Sequence, residues 1–278
     1  MRILYVLGFA LLVAGCGSAR SPAPAPSPTA PLLRFEGGGA TDRAARLAHG
    51  KRLVRVLACQ GCHGETLQGE NATADDPDFG DMNAPNVTLL LPGYSDAQLD
   101  RLIRHGEPRD GRPFWFMASE GFQFLGDGDL ADLVLYLRTI PPAGTPMPPI
   151  RFGPGFRKAQ ASGEVDTAQK LVARFAKEPP VDLDPEHAWG RWLARTVCAE
   201  CHNAALQGYA GFSPNLDIAG AYSAAELERL LTTGQGKTGR DLGMMAATAR
   251  SRLKELRPRE RAAIIAYLLA RAKHDTDG

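Results

Sequence analysis

Two pentads carry the residue types on which chemistry could centre: Cys59-Gln60-Gly61-Cys62-His63 and Cys198-Ala199-Glu200-Cys201-His202. Cysteines three positions apart lie about one helical turn from each other. Both thiols can then add across the vinyl groups of one haem, while the next residue turns an imidazole onto the iron. Two other chemistries use such a pair. A zinc ribbon sets its C-x-x-C pairs roughly 15–20 residues apart, whereas 135 residues separate Cys62 from Cys198. A thioredoxin-like dithiol needs a βαβ setting, and no strand-rich pattern flanks either pentad. Spacing favours covalent haem attachment over both alternatives.

The chain holds five cysteines in 278 residues. An odd number excludes a fully paired disulfide framework. The fifth, Cys16, closes a leader. Residues 1–15 combine Arg2 with an apolar run from Ile3 to Val13, too short to span a bilayer and suited to an export signal. The sequence Val13-Ala14-Gly15-Cys16 resembles a bacterial lipoprotein box, which implies lipidation of Cys16 and anchorage to a bacterial membrane on the periplasmic side. Residues 16–34 follow as a Pro-rich tether with five prolines between Pro22 and Pro31, a composition that favours polyproline II.

The remainder repeats itself. Cys59, Cys62, His63, Leu67, Gln68 and Gly69 recur 139 positions later as Cys198, Cys201, His202, Leu206, Gln207 and Gly208. Pro85-Asn86 matches Pro214-Asn215, leaving a 10-residue insertion in the first half, within residues 70–84. At an offset of 128, Tyr94-Ser95, Leu99, Gly106 and Met117 recur as Tyr222-Ser223, Leu227, Gly234 and Met245. Ser95-x-x-Gln98 and Ser223-x-x-Glu226 read as capping boxes, and Asp184-Pro185 as a helix start. Leu130, Leu133, Val134 and Leu137 fall at helical spacing, and Ile264, Ile265, Tyr267 and Leu268 supply the equivalent face after Pro258. Each half therefore reads as a helix entering the pentad, a loop, a second helix, a Met loop and a final helix.

At these residues the chain resembles the class I c-type cytochromes in a two-domain, two-haem form, over roughly residues 40–140 and 180–273. The resemblance implies an all-α fold: two tandem cytochrome c domains, residues 35–145 and 181–278, each wrapped around one covalently bound haem. Residues 146–180 are a connector at the interface, with a helix expected near Thr167–Lys177. The resemblance also implies His63 and His202 as proximal ligands. Met117 and Met245 would lie opposite, with Met244 the alternative to Met245 and His105 the rival at the first haem. The carbonyls of Pro85 and Pro214 would accept a hydrogen bond from the imidazoles. His49 and His187 are expected on solvent-facing helix positions.

Composition is ordinary for a soluble globular protein at 44% hydrophobic and 23% charged, and the net charge of +1 gives no basic surface of the nucleic-acid-binding kind. By segment, residues 32–145 carry 11 cations against 16 anions, while Arg250, Arg252, Lys254, Arg257, Arg259 and Arg261 cluster after Met245. Such a cluster is either a solvated helix face or a steering surface for an acidic partner. Asp75, Asp76, Asp78 and Asp81 make the insertion acidic, a solvated loop or a calcium site. The expected function is transfer of single electrons between redox proteins outside the cytoplasm (a dehydrogenase, a bc-type complex or a terminal oxidase). The competing function is a diheme enzyme such as a peroxidase or a thiosulfate-oxidising enzyme, which requires one displaceable iron ligand.

Overall fold

The computed structural model describes residues 33–274. The leader, Cys16 and the tether up to residue 32 lie outside the described residues. The described residues cluster as one compact unit. Among the described residues, no helix is long and apolar enough to cross a membrane.

Helices dominate. The first half contains α1 (Arg43–Val56), α2 (Cys59–His63), α3 (Val87–Leu90), α4 (Asp96–His105), α5 (Ser119–Phe122) and α6 (Asp127–Leu137). The connector supplies α7 (Pro154–Ser162) and α8 (Ala168–Lys177), and Thr167 caps α8 by accepting from Lys170 N. The second half contains α9 (Ala188–Val197), α10 (Ala199–His202), α11 (Ala224–Thr233), α12 (Met244–Ser251) and α13 (Pro258–His274). Both expected capping boxes form, at Ser95/Gln98 and Ser223/Glu226. Both helices end on a glycine in left-handed conformation, Gly106 (φ 64°) and Gly234 (φ 79°), where a side chain would be strained. Asp184 precedes only a short 3₁₀ turn, Pro185–His187, which runs on into α9.

Each half is built on one helix crossing. Helix α1 packs against α6, and α9 against α13. Leu53, Leu133, Leu193, Ile264 and Tyr267 are buried there, each contributing about 1.5–3 kcal/mol through lost apolar exposure. A glycine permits the approach. A Cβ on Gly50 would sit inside the Asp132 carbonyl and 2.8 Å from Tyr136 Cβ; one on Gly190 would meet the Ala263 carbonyl in the same way and lie 2.9 Å from Tyr267 Cβ. The equivalence of the two halves thus extends to a Gly–Tyr contact at each crossing.

Among the described residues, four two-residue strands interrupt the helical pattern. In the insertion, β1 (Glu70–Asn71) pairs antiparallel with β3 (Asn83–Ala84), and β2 (Gly80–Asp81) pairs with β4 (Arg151–Phe152) of the connector. The acidic loop thereby acquires a structural partner, with Arg151 Nε 2.7 Å from Asp81 Oδ2. No group of three or more His, Cys, Asp or Glu among the described residues is arranged to hold a metal ion. Phe79, Trp115, Phe116, Phe152 and Phe156 form an aromatic cluster, with Phe152 and Phe156 stacked at 4.2 Å.

The close helix crossings give a direct test. Gly190→Ala is expected to lower stability by about 1–3 kcal/mol or more, because the methyl overpacks a backbone contact. Gly128→Ala, where the nearest atom to a new Cβ is 3.6 Å away, is expected to be neutral or stabilising by up to ~1 kcal/mol. Denaturant midpoints of the two variants check this.

Candidate functional site

Local backbone chemistry places each pentad. Helix α1 ends at Val56 and the chain turns through Ala58 (φ 57°) into α2, so Cys59 and Cys62 share one short helix with His63. Helix α9 runs almost directly into α10, with Cys198 between them. Beyond each pentad the chain makes the same loop. Gly64 and Asn203, Leu67 and Leu206, and Gly69 and Gly208 all take positive φ. Gly69 N donates to His63 O, and Gly208 N to His202 O, both at 2.8 Å. Val87 N then bonds Leu67 O at 2.9 Å, and Leu216 N bonds Leu206 O at 3.0 Å.

This loop brings a proline carbonyl to each imidazole. His63 Nδ1 lies 2.9 Å from Pro85 O, and His202 Nδ1 lies 2.9 Å from Pro214 O. Only a protonated Nδ1 can donate to a carbonyl, so Nε2 is the nitrogen left to bind a metal. Burial lowers the pKa of both rings against the opposing effect of these bonds, which keeps the imidazoles neutral and able to ligate. The donor set therefore fits haem: two thiols on one helical turn and an adjacent imidazole of fixed tautomer.

The thiols argue against redox dithiol chemistry. Burial pushes Cys59 and Cys198 up to about 12, and also raises Cys62 and Cys201. A dithiol exchange site needs the opposite shift. A zinc ribbon is not assembled among the described residues either.

The methionines differ in environment. Met117, just before α5, and Met245, in the first turn of α12, are half-buried against the core. Met244 is 62% exposed. His105 is exposed at the end of α4. His49 departs from its expected place. It is 2% exposed, and its Nε2 sits 2.8 Å from Asp129 Oδ1, which is itself buried. Burying a carboxylate requires such partners, and Phe35 N supplies a second at 3.0 Å. His187 is not on an open face either, with its side chain 18% exposed.

The connector covers the first Met loop. Ala168 N donates to Phe114 O at 2.7 Å, and Gln123 Nε2 to Val172 O at 3.0 Å. Helix α8 packs on α5, with Phe175 buried. Across the two halves, Arg52 grips Glu260 at 2.8 and 3.0 Å, and Glu260 also accepts from Glu36 N and Arg257 N. The cationic cluster after Met245 is not one solvated face. Arg252 and Arg261 are buried at 6% and 8% exposure and bond Glu200 and Glu228, while Arg250, Lys254, Arg257 and Arg259 are exposed.

A family model described as cytochrome c matches residues 47–141 and 188–272. The fructose dehydrogenase cytochrome subunit of Gluconobacter japonicus is 26% identical over 180 residues, covering 60% of this chain and 35% of that protein. The chain thus spans about a third of the length of that relative.

Glu120 lies three residues past Met117 and is 6% exposed, with Oε2 lacking a hydrogen-bond partner. Burial pushes its carboxyl up to about 7 from an ordinary 4.5, with Glu200 adding and Arg174 opposing. Between those values the unfolded chain binds fewer protons, so stability falls as pH rises through the window. Glu120→Gln is expected to flatten that decline and to be more stable above pH 7 by at most about 3 kcal/mol, at ~1.4 kcal/mol per unit. Denaturation at pH 5, 6 and 8 checks the sign.

Proposed function

The chain belongs to the cytochrome c family, and on that premise we propose that it is a diheme electron carrier tethered outside the cytoplasm. Covalently bound haem c and electron transfer come with the family. The proposal adds a count of two, held through Cys59, Cys62 and His63 and through Cys198, Cys201 and His202. It adds Met117 and Met245 as the opposite axial ligands, and lipid on Cys16 as the anchor to a periplasmic membrane face. When bound, haem iron supplies a reversible one-electron couple whose potential a thioether ligand raises.

The observation that carries this reading is the pair of imidazole-to-proline bonds, equal at 2.9 Å and in matched loops. Each fixes the ring plane and increases the basicity of Nε2. Two halves built alike at this level imply two sites of the same kind. The half-buried position of Met245 against the 62% exposure of Met244 supports Met245 as ligand, as does its match to Met117. Helix α8 is bonded to the Met117 segment at Phe114, and the aromatic cluster holds Trp115 and Phe116 just before Met117. The weak relative named as a dehydrogenase cytochrome subunit supports a dehydrogenase as electron donor, with a bc-type complex or terminal oxidase as acceptor.

Spectroelectrochemical titration with carbon monoxide tests the carrier reading. Two one-electron transitions are expected, with no immediate carbon monoxide complex in the reduced protein. Prompt binding, or turnover of peroxide, would point instead to an enzyme with one open iron. Met117→Ala and Met245→Ala are each expected to lower one midpoint and to open one iron to carbon monoxide. Met244→Ala is expected to leave both transitions in place. A reversed result for Met244 and Met245 would reassign the second ligand.

A further inference from the structure

Arg252 joins the two pentad segments through one side chain. Its Nε donates to Val56 O at 2.7 Å, at the end of the helix that delivers Cys59. Its Nη1 donates to Glu200 Oε2 at 2.9 Å, and Glu200 lies between Cys198 and Cys201. The residue itself follows α12, the helix that opens at Met244 and Met245. A single guanidinium therefore touches the approach to the first pentad and the interior of the second.

Its charge is poorly compensated. The Arg252 side chain is 7% exposed, while that of Glu200 is 38% exposed. Nη2 is buried without a hydrogen-bond partner. Removing a guanidinium from water is costly unless pairing is good, and here one carboxylate, half in solvent, is the ionic partner. Three nearby cations differ in this respect. Arg55, Arg250 and Lys254 line, together with Arg252, an open cleft of about 470 Å³; these three are exposed while Arg252 is buried, so water and salt screen the three more strongly. Arg252 alone of the four is held in a low-dielectric position, where a charge acts strongly on its surroundings.

We propose that Arg252 is a positioning residue shared by the two haem sites, locking the pentad segments together and raising both reduction potentials with one buried positive charge. The inference rests on the reading that both pentads carry haem. Oxidation adds a positive charge at an iron. A fixed cation between the segments disfavours that addition on both sides, and Glu200 moderates the effect.

The test uses the full holoprotein, with haem content measured first and both midpoints read by spectroelectrochemical titration at constant pH and ionic strength. Arg252→Gln is expected to move both midpoints down, and Glu200→Gln to move both up. Arg252→Lys keeps the charge and loses the forked bonds, so its midpoints are expected to stay closer to wild type than those of the Gln variant. A purely structural bolt would make Lys and Gln equivalent, and that outcome overturns the proposal. So does a response confined to one haem. If Arg252→Gln does not fold, Glu200→Gln decides by sign alone: no shift, or a downward one, overturns it. A wild-type protein with fewer than two haems would instead overturn the reading beneath.

Discussion

The bond from each imidazole Nδ1 to a proline carbonyl is the constraint on which the rest of the structure depends. It requires the carbonyl of Pro85 or Pro214 to return to a histidine 22 or 12 residues earlier in sequence. The left-handed positions after each pentad make that return possible. At Gly208 a Cβ would collide with the Ser213 carbonyl, so only glycine allows the loop to close this tightly. The insertion in the first half respects the same constraint. It leaves after Gly69 and comes back as a hairpin that sets Glu70 opposite Ala84, so Pro85 arrives where Pro214 arrives without it.

Helix crossing does the corresponding work on the other side of each pentad. Helices α1 and α9 must be held rigidly to aim α2 and α10, and the Gly50 and Gly190 contacts bring α6 and α13 into backbone range. The halves then share polar structure across their boundary. Arg52, Glu260 and the backbone of Glu36 and Arg257 form a buried hydrogen-bonded group, in which the Arg52 Nη atoms are paired and its Nε is not. Trp192 packs edge-on against Phe35 at 5.1 Å and donates to Phe124 O. Buried charge pairs of this kind bring little net stability but strongly penalise separation, since breaking one leaves an uncompensated ion. Two sequence repeats thereby become one compact unit.

Much of this was legible in the sequence because it is local. The pentads, the capping boxes, the αL glycines and helix α8 are encoded by residues within a few positions of one another, and the repeat doubled each signal. What was not legible depends on residues far apart. The burial of His49 follows from Asp129, 80 positions away. The role of Arg252 follows from Val56, 196 positions away, and in sequence it looked like one member of a cationic run. The connector gave only prolines and a short helix; that it would pair with the insertion and pack beside the Met117 loop depended on an aromatic cluster drawn from three separate segments. The glycines at the helix crossings carried a usable signal, because a glycine inside a helix is unfavourable without a packing reason.

The proposed carrier function stands or falls with covalent haem at both pentads. Intact-protein mass spectrometry under denaturing conditions, followed by peptide mapping, measures this directly. A mass above that of the polypeptide by two haem groups is expected, with one on the Cys59/Cys62 peptide and one on the Cys198/Cys201 peptide. A protein matured with its haem supply intact that carries a single haem, or none, would contradict it.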